Sequence, residues 1–174
     1  MKDTELFFDI AKPKWEPKEV CTQMGVHIEE VGEMFEAMGF EADSTTLDEI
    51  NLLANHYKTH KYPAVEMSDW DRANLLDSLC DQYVTLIGVA KSLGMDIKGA
   101  VQEVEDSNLS KFLKIEEGTL KMDLDEICVL IEKRTKYKGV YSKPVLGYHV
   151  FYDENGKIMK NPSTYFEPDL SKFI

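Results

Sequence analysis

The sequence predicts an all-α fold, a helical bundle core of about four to five helices followed by a short C-terminal β-hairpin and an extended tail. Three observations point there. Apolar residues recur at helical spacing through most of the first 118 residues. Proline, glycine and short polar residues punctuate those runs where helices begin and end. Past Gly118 the pattern shifts toward alternation and turn residues.

Each element has its own signal. A short N-terminal helix is interrupted by Pro13-Lys14-Trp15-Glu16-Pro17, and Pro17 suits the first position of the next helix. That helix carries Val20, Met24, His27, Val31, Met34, Phe35 and Met38 as a broad apolar stripe and should end near Gly39. Asp43-Ser44-Thr45 offers caps for a run through Leu47, Ile50, Leu53, Ala54 and Tyr57 that breaks before Pro63. Ser68 or Asp69 caps a third long helix reaching about Gly94. Leu75, Leu76, Leu79, Tyr83, Leu86, Ile87 and Ala90 fill one side of it, while Cys80, Val84 and Val89 make its other faces apolar. Such a helix belongs at the centre of a bundle. Asp96 caps another, with Ile97, Ala100, Val101 and Val104, then Leu109 and Phe112. Leu124 to Lys136 forms one more, and from Val140 the chain turns β-like. Asn155-Gly156, between residues 147–152 and 157–160, signals a hairpin. Residues 161–169 are extended and rich in proline and aromatics, like a strap laid over something else. The helical core is thus expected over 1–118, with 119–174 as the same domain or an appendage.

Composition excludes several classes. A chain of 174 residues with 43% hydrophobic and 30% charged content can bury a real core. Its formal net charge of -12 opposes binding to a nucleic-acid backbone. Cys21, Cys80 and Cys128 are scattered and odd in number, which suits a reducing cytoplasm better than a disulfide framework or a zinc site. The acidic, mixed start and the lack of a long apolar run predict neither secretion nor a membrane span.

The chemistry-bearing residues are mostly acids. Glu29, Glu30 and Glu33 form an E-E-x-x-E cluster on the second helix. At about 100° per residue, Glu30 falls at the edge of the apolar stripe, Glu33 beside it, and Glu29 one turn before Glu33. Their mutual repulsion would be relieved by a hard cation such as Mg²⁺ or Mn²⁺, which prefers oxygen ligands. The plain alternative is a solvated acidic face. Asp77 and Asp81 stack on one line of the third long helix, and that line continues into Val84 and Gly88. Buried carboxylates need a cation, a basic partner or a proton, although Asp77 also suits a helix N-terminus.

Asn108 and Lys111 share the face of Ile97, Ala100, Val101 and Val104 if that helix continues to Phe112. Lys111 then either forms a salt bridge or neutralises phosphate, and Asn108 either ends the helix or orients a ligand oxygen. His27 fits a core position or one supporting the acids, and His56, His60 and His149 fit surface or loop positions. No His follows a Glu at the spacing of helical di-iron sites, and no glycine-rich phosphate loop or nucleophile elbow occurs.

Taken in order, the residues 27–34, 75–83 and 103–112 resemble the MazG-like all-α nucleoside triphosphate pyrophosphohydrolases over about residues 20 to 113. The family pattern is E-E-x-x-E followed by E-x-x-D, and Glu29, Glu30, Glu33 and Asp81 map onto it. The family spacing would put the fourth acid at Ser78, where this chain offers Asp77 instead. The resemblance implies Mg²⁺-dependent cleavage of a (deoxy)nucleoside triphosphate to monophosphate and pyrophosphate, with Glu30, Glu33 and Asp81, together with Glu29 or Asp77, toward metal, Asp77 either as a ligand or as a support to the ligands, and with Asn108 and Lys111 toward phosphate. It also implies a homodimer or homotetramer. The C-terminal hairpin and strap look like those of bacteriophage members, so a viral origin and a host-cytoplasmic location are expected.

Trp15, Trp70, Tyr57 and Tyr62 are the aromatic residues available to stack on a base, with core packing as the alternative. A purine deoxynucleotide such as dGTP is the leading expectation, and a dUTP or dCTP pyrophosphatase of the same superfamily the next. The competing class is a non-catalytic acidic helical interaction protein.

Overall fold

The computed structural model describes residues 2–41, 44–59, 70–115 and 123–174. Within them lie α1 (Lys2–Ala11), α2 (Pro17–Ala37), α3 (Thr45–Lys58), α4 (Arg72–Ser92), α5 (Ile97–Leu109), β1 (Leu113–Lys114), α6 (Leu124–Arg134), β2 (Tyr141–Val145) and β3 (Tyr148–Tyr152). The protein is mostly helical and carries one small antiparallel sheet. Its contacts divide it into two compact units, Lys14–Asp81 and Met1–Pro13 with Gln82–Ile174, and the division falls inside α4. The boundary expected near residue 118 lies within the second of these.

In the unit of residues 14–81, α2 begins where local chemistry requires it. Pro17 occupies the first turn, and the Glu16 backbone N–H donates to Glu19 Oε2 at 3.1 Å. Gly39, at φ 92°, follows its last turn. Ser44 caps α3 by accepting from the Leu47 N–H. Asp43, Ser68 and Asp69 lie outside the described residues. At the start of α4, Asp71 accepts from Asn74 N at 3.1 Å and from Asn74 Nδ2 at 2.7 Å.

α2 packs against α3. A Cβ added at Gly25 would meet Ala54 O at 2.7 Å, and one at Gly32 would meet Asn51 Oδ1 at 3.2 Å, so the contact moves backward along α3 as α2 advances. The two helices are therefore antiparallel, and their backbones come close because these positions lack side chains. The enclosed line on α2 runs through Cys21, Gly25, Ile28, Gly32 and Phe35, with Leu47 and Ala54 buried on α3. That line corrects the expected stripe by one residue, or about 100° of rotation. His27, Val31, Met34 and Met38 are exposed instead. Two small residues in heptad register outweighed larger apolar ones, since close packing at Gly25 leaves no room for another helix face.

A second correction concerns α4. Expected at a bundle centre, it buries only Ala90 in this chain. Leu76 is 63% exposed and Val84 65%, and Leu79, Tyr83, Leu86, Val89 and Leu93 are exposed as well. Apolar faces on all sides of a helix indicate what it can bury, without supplying the neighbours.

The unit containing residues 82–174 is organised around β3. The strand order is β1-β3-β2, with both pairings antiparallel. Successive β3 residues serve opposite faces, as the pleat demands. Val150, fully buried, joins Ile10, Ala11 and Phe112 beneath α1. Phe151, also fully buried, joins Ile127, Cys128, Ile131 and Met159 beneath α6. The C-terminal part is thus a three-stranded sheet between helical layers rather than the expected hairpin. The tight connection is Leu146-Gly147, with φ 47° and 82°, both positive as a two-residue type I′ hairpin loop requires. Asn155-Gly156 does make a turn, with Asp153 Oδ1 accepting from Asn155 N and Lys157 N, but beyond it only an isolated bridge, Tyr152 to Ile158, pairs with the sheet.

Residues 161–174 run back along α5. Thr164 Oγ1 donates to Ser110 O at 2.7 Å, Ser107 Oγ to Phe166 O at 2.8 Å, Lys172 Nζ to Glu103 Oε2 at 2.9 Å, and Asp96 N to Phe173 O at 2.8 Å. The expected inward face of α5 is shifted accordingly. Val101 and Val104 are exposed, and Glu105 and Ser107 are buried, Glu105 by accepting from the Thr4 N–H and hydroxyl.

Gly25→Ala tests the close approach of α2 and α3. A methyl group there meets α3 backbone atoms that cannot rotate away, so urea denaturation should show a loss of about 1–3 kcal/mol.

Candidate functional site

The rotation of α2 sets the direction of each acid. Glu29 follows Gly25 by one turn and lies at the margin of the α3 contact, where its Oε1 accepts from Lys58 Nζ at 2.6 Å. Glu30 lies on the opposite side of α2 from the glycines, and Glu33 lies between those two directions. Both are exposed. The exposed apolar residues Val31, Met34 and Met38 border Glu30 on its other flank.

Partial burial raises the Glu30 carboxyl above the usual glutamate range, the negative charges of Glu33 and Glu29 raise it further, and His27 opposes the shift. Glu29 already has a cationic neighbour in Lys58, so the unrelieved repulsion centres on Glu30. Oxygen-only donors that repel one another suit a hard cation in kind. In number they fall short: among the described residues of one chain, no three His, Cys, Asp or Glu side chains are grouped to hold a metal.

Asp77 and Asp81 are exposed on α4, one turn apart. They share the helix with the apolar residues that the chain leaves uncovered, and are not joined to the α2 acids in a metal-sized group. Trp15 is exposed in the segment before α2, Tyr57 is half-buried near the end of α3, and Trp70 is half-buried ahead of α4. Tyr62 and His60 lie outside the described residues.

Asn108 and Lys111 do meet. α5 ends at Leu109, yet Lys111 Nζ donates to Asn108 Oδ1 at 2.7 Å. Lys111 has no carboxylate partner among the described residues, so the salt bridge weighed from sequence is not what holds it. Its ammonium lies 5.3 Å from the centre of the Phe7 ring. Burial lowers its proton affinity, and the nearby Lys160 charge lowers it further. Sequence reasoning missed Lys58 and Lys160. Lys58 was visible as a basic residue in the last turn of α3, but its pairing depends on how closely two helices approach.

The direction of the Glu30 shift has a measurable sign. With its folded-state value above the unfolded one, Glu30 destabilises the fold once pH rises through the folded value. Glu30→Gln should therefore raise the melting temperature at neutral pH. That gain should vanish below the unfolded glutamate value, where Glu30 is protonated in both states, and melts from pH 3 to 8 would check it.

No protein-family model, curated protein or solved structure matches the chain, so the chemistry of this site rests on its own residues.

Proposed function

We propose that this protein is a Mg²⁺-dependent nucleoside triphosphate pyrophosphohydrolase that works as a homodimer or homotetramer in the cytoplasm, that of a host cell if its origin is viral. The observation that carries this reading is the position of Glu30 and Glu33. They are turned away from α3, mutually repelling, and flanked by an apolar line that the chain leaves uncovered. Asp77 and Asp81 lie on the other helix with uncovered apolar faces. Acids beside apolar surface on two helices are what a site completed by a second copy requires. Burial of those faces supplies the association energy, at about 25 cal/mol per Å² removed from water.

Glu30, Glu33, Asp77 and Asp81 would hold Mg²⁺, with Mn²⁺ able to replace it. Bound there, the cation would neutralise the triphosphate and lower the pKa of an attacking water. Whichever of these carboxylates is not fully coordinated would accept the water proton. Glu29 is engaged by Lys58, and is better suited to holding α2 in position than to proton transfer. Attack in line at the α-phosphorus breaks its bond to the bridging oxygen and releases monophosphate and pyrophosphate. Lys111, held by Asn108, is a cation of the kind that suits phosphate charge. Trp15, exposed, is available to stack on the base. A purine deoxynucleotide such as dGTP is the preferred substrate of this reading, with dUTP or dCTP next.

The exposed faces of α4 also suit a non-catalytic helical interaction protein, and one assay separates the two. Purified protein is incubated with Mg²⁺ and each nucleoside triphosphate, and the products are resolved. Monophosphate plus pyrophosphate is expected, with kcat reduced by roughly 100-fold or more in Glu33→Gln. Absence of turnover with every nucleotide, together with unchanged metal binding in Glu33→Gln, would leave the interaction protein.

A further inference from the structure

We propose that Lys160 and Lys111 together form an anion-binding site for a phosphate chain, with the C-terminal strap supplying the second cation. Lys160 opens the strap, and Asn161 follows it. The backbone O of Asn161 accepts from Tyr165 N at 2.8 Å and from Thr164 N at 3.2 Å, closing a turn. Thr164 Oγ1 then ties that turn to Ser110 O at 2.7 Å, and Phe166 N donates to Ser110 Oγ at 3.3 Å. Ser110 is the residue before Lys111. The strap therefore brings a second lysine to the end of α5, where Asn108 already holds the first.

Two features ask for an anion there. Lys111 is half-buried without a carboxylate partner among the described residues, and the Lys160 charge disfavours its protonated form. An anion relieves both penalties, whereas water relieves only the first. Among the described residues Lys160 has only Glu167 as a carboxylate neighbour, at 3.8 Å between exposed side chains, which is a weak and replaceable pair. Its Nζ is positioned 4.3 Å from the centre of the Tyr165 ring, and hydrogen bonding to Tyr165 raises its proton affinity, so the side chain is held in place with its charge kept. Asn161, fully buried beside it, accepts at Oδ1 from Ser163 N at 3.0 Å and from Ser163 Oγ at 2.7 Å, which fixes the turn that carries Lys160.

A chain of phosphates suits two separated ammonium groups better than a single carboxylate does, because it offers several charged oxygens along its length. The assignment of that chain to the pyrophosphate arm of a nucleotide rests on the proposed hydrolase reading. The anion site itself does not.

Titration calorimetry of the full chain with inorganic pyrophosphate in EDTA tests the site without metal or turnover. Saturable binding is expected, weakened roughly tenfold in Lys160→Met, restored in Lys160→Arg, and unchanged in Lys143→Met, which removes an equal charge from β2. Binding that is absent, or equally strong in wild type and Lys160→Met, overturns the proposal, as does an equal loss in Lys143→Met. Lys160 is exposed, so its variant should fold even if Lys111→Met does not. Glu33→Gln separates the two proposals: it should lower kcat for hydrolysis by roughly 100-fold or more and leave metal-free pyrophosphate binding intact. Binding without hydrolysis in the wild type removes only the enzyme reading, and hydrolysis without a Lys160 effect removes only this site.

Discussion

Helix packing at a glycine contact is governed by backbone distance, and in residues 14–81 that constraint decides the rest. Because Gly25 and Gly32 present no side chains, α3 settles against that line of α2 and no other. Every remaining side chain on α2 takes its direction from that choice. Glu29 falls beside Lys58, Glu30 and Glu33 turn outward, and Val31, Met34 and Met38 are left exposed. Had the larger apolar residues formed the contact, α2 would be rotated by about one residue and the acids would have different surroundings.

Residues 82–174 with 1–13 follow another rule. There a single strand has helical layers on both sides, and the pleat sends Val150 and Phe151 to different cores. Register matters more than bulk in such an arrangement, because a shift of one residue exchanges the two cores. The Leu146-Gly147 turn fixes that register.

Much of the helical architecture was legible from local chemistry. Pro17, Gly39, Ser44, Gly94 and Asp96 mark helix ends because capping and proline geometry depend on a few neighbouring residues. The rotation of α2 was hidden, since a pattern search weighs large apolar side chains and misses the close approach that two glycines permit. The turn at Leu146 was hidden for a related reason: a leucine at positive φ runs against local preference and is held there by the strands it joins. For the candidate site, residue types and helix placement were visible, along with the shared face of Asn108 and Lys111, though not the hydrogen bond between them. Lys58 and Lys160 reach their neighbours only through tertiary packing, which no spacing in the sequence encodes.

The glycine contact also has a mechanical consequence. Interlocked side chains can slide past one another by changing rotamers, but backbone against backbone has few such adjustments. α2 and α3 should therefore move as one stiff body, with the Lys58–Glu29 pair as a cross-brace. A force applied to either helix would then tilt the outward acids together, so their mutual spacing would survive a rearrangement that changes where they are aimed.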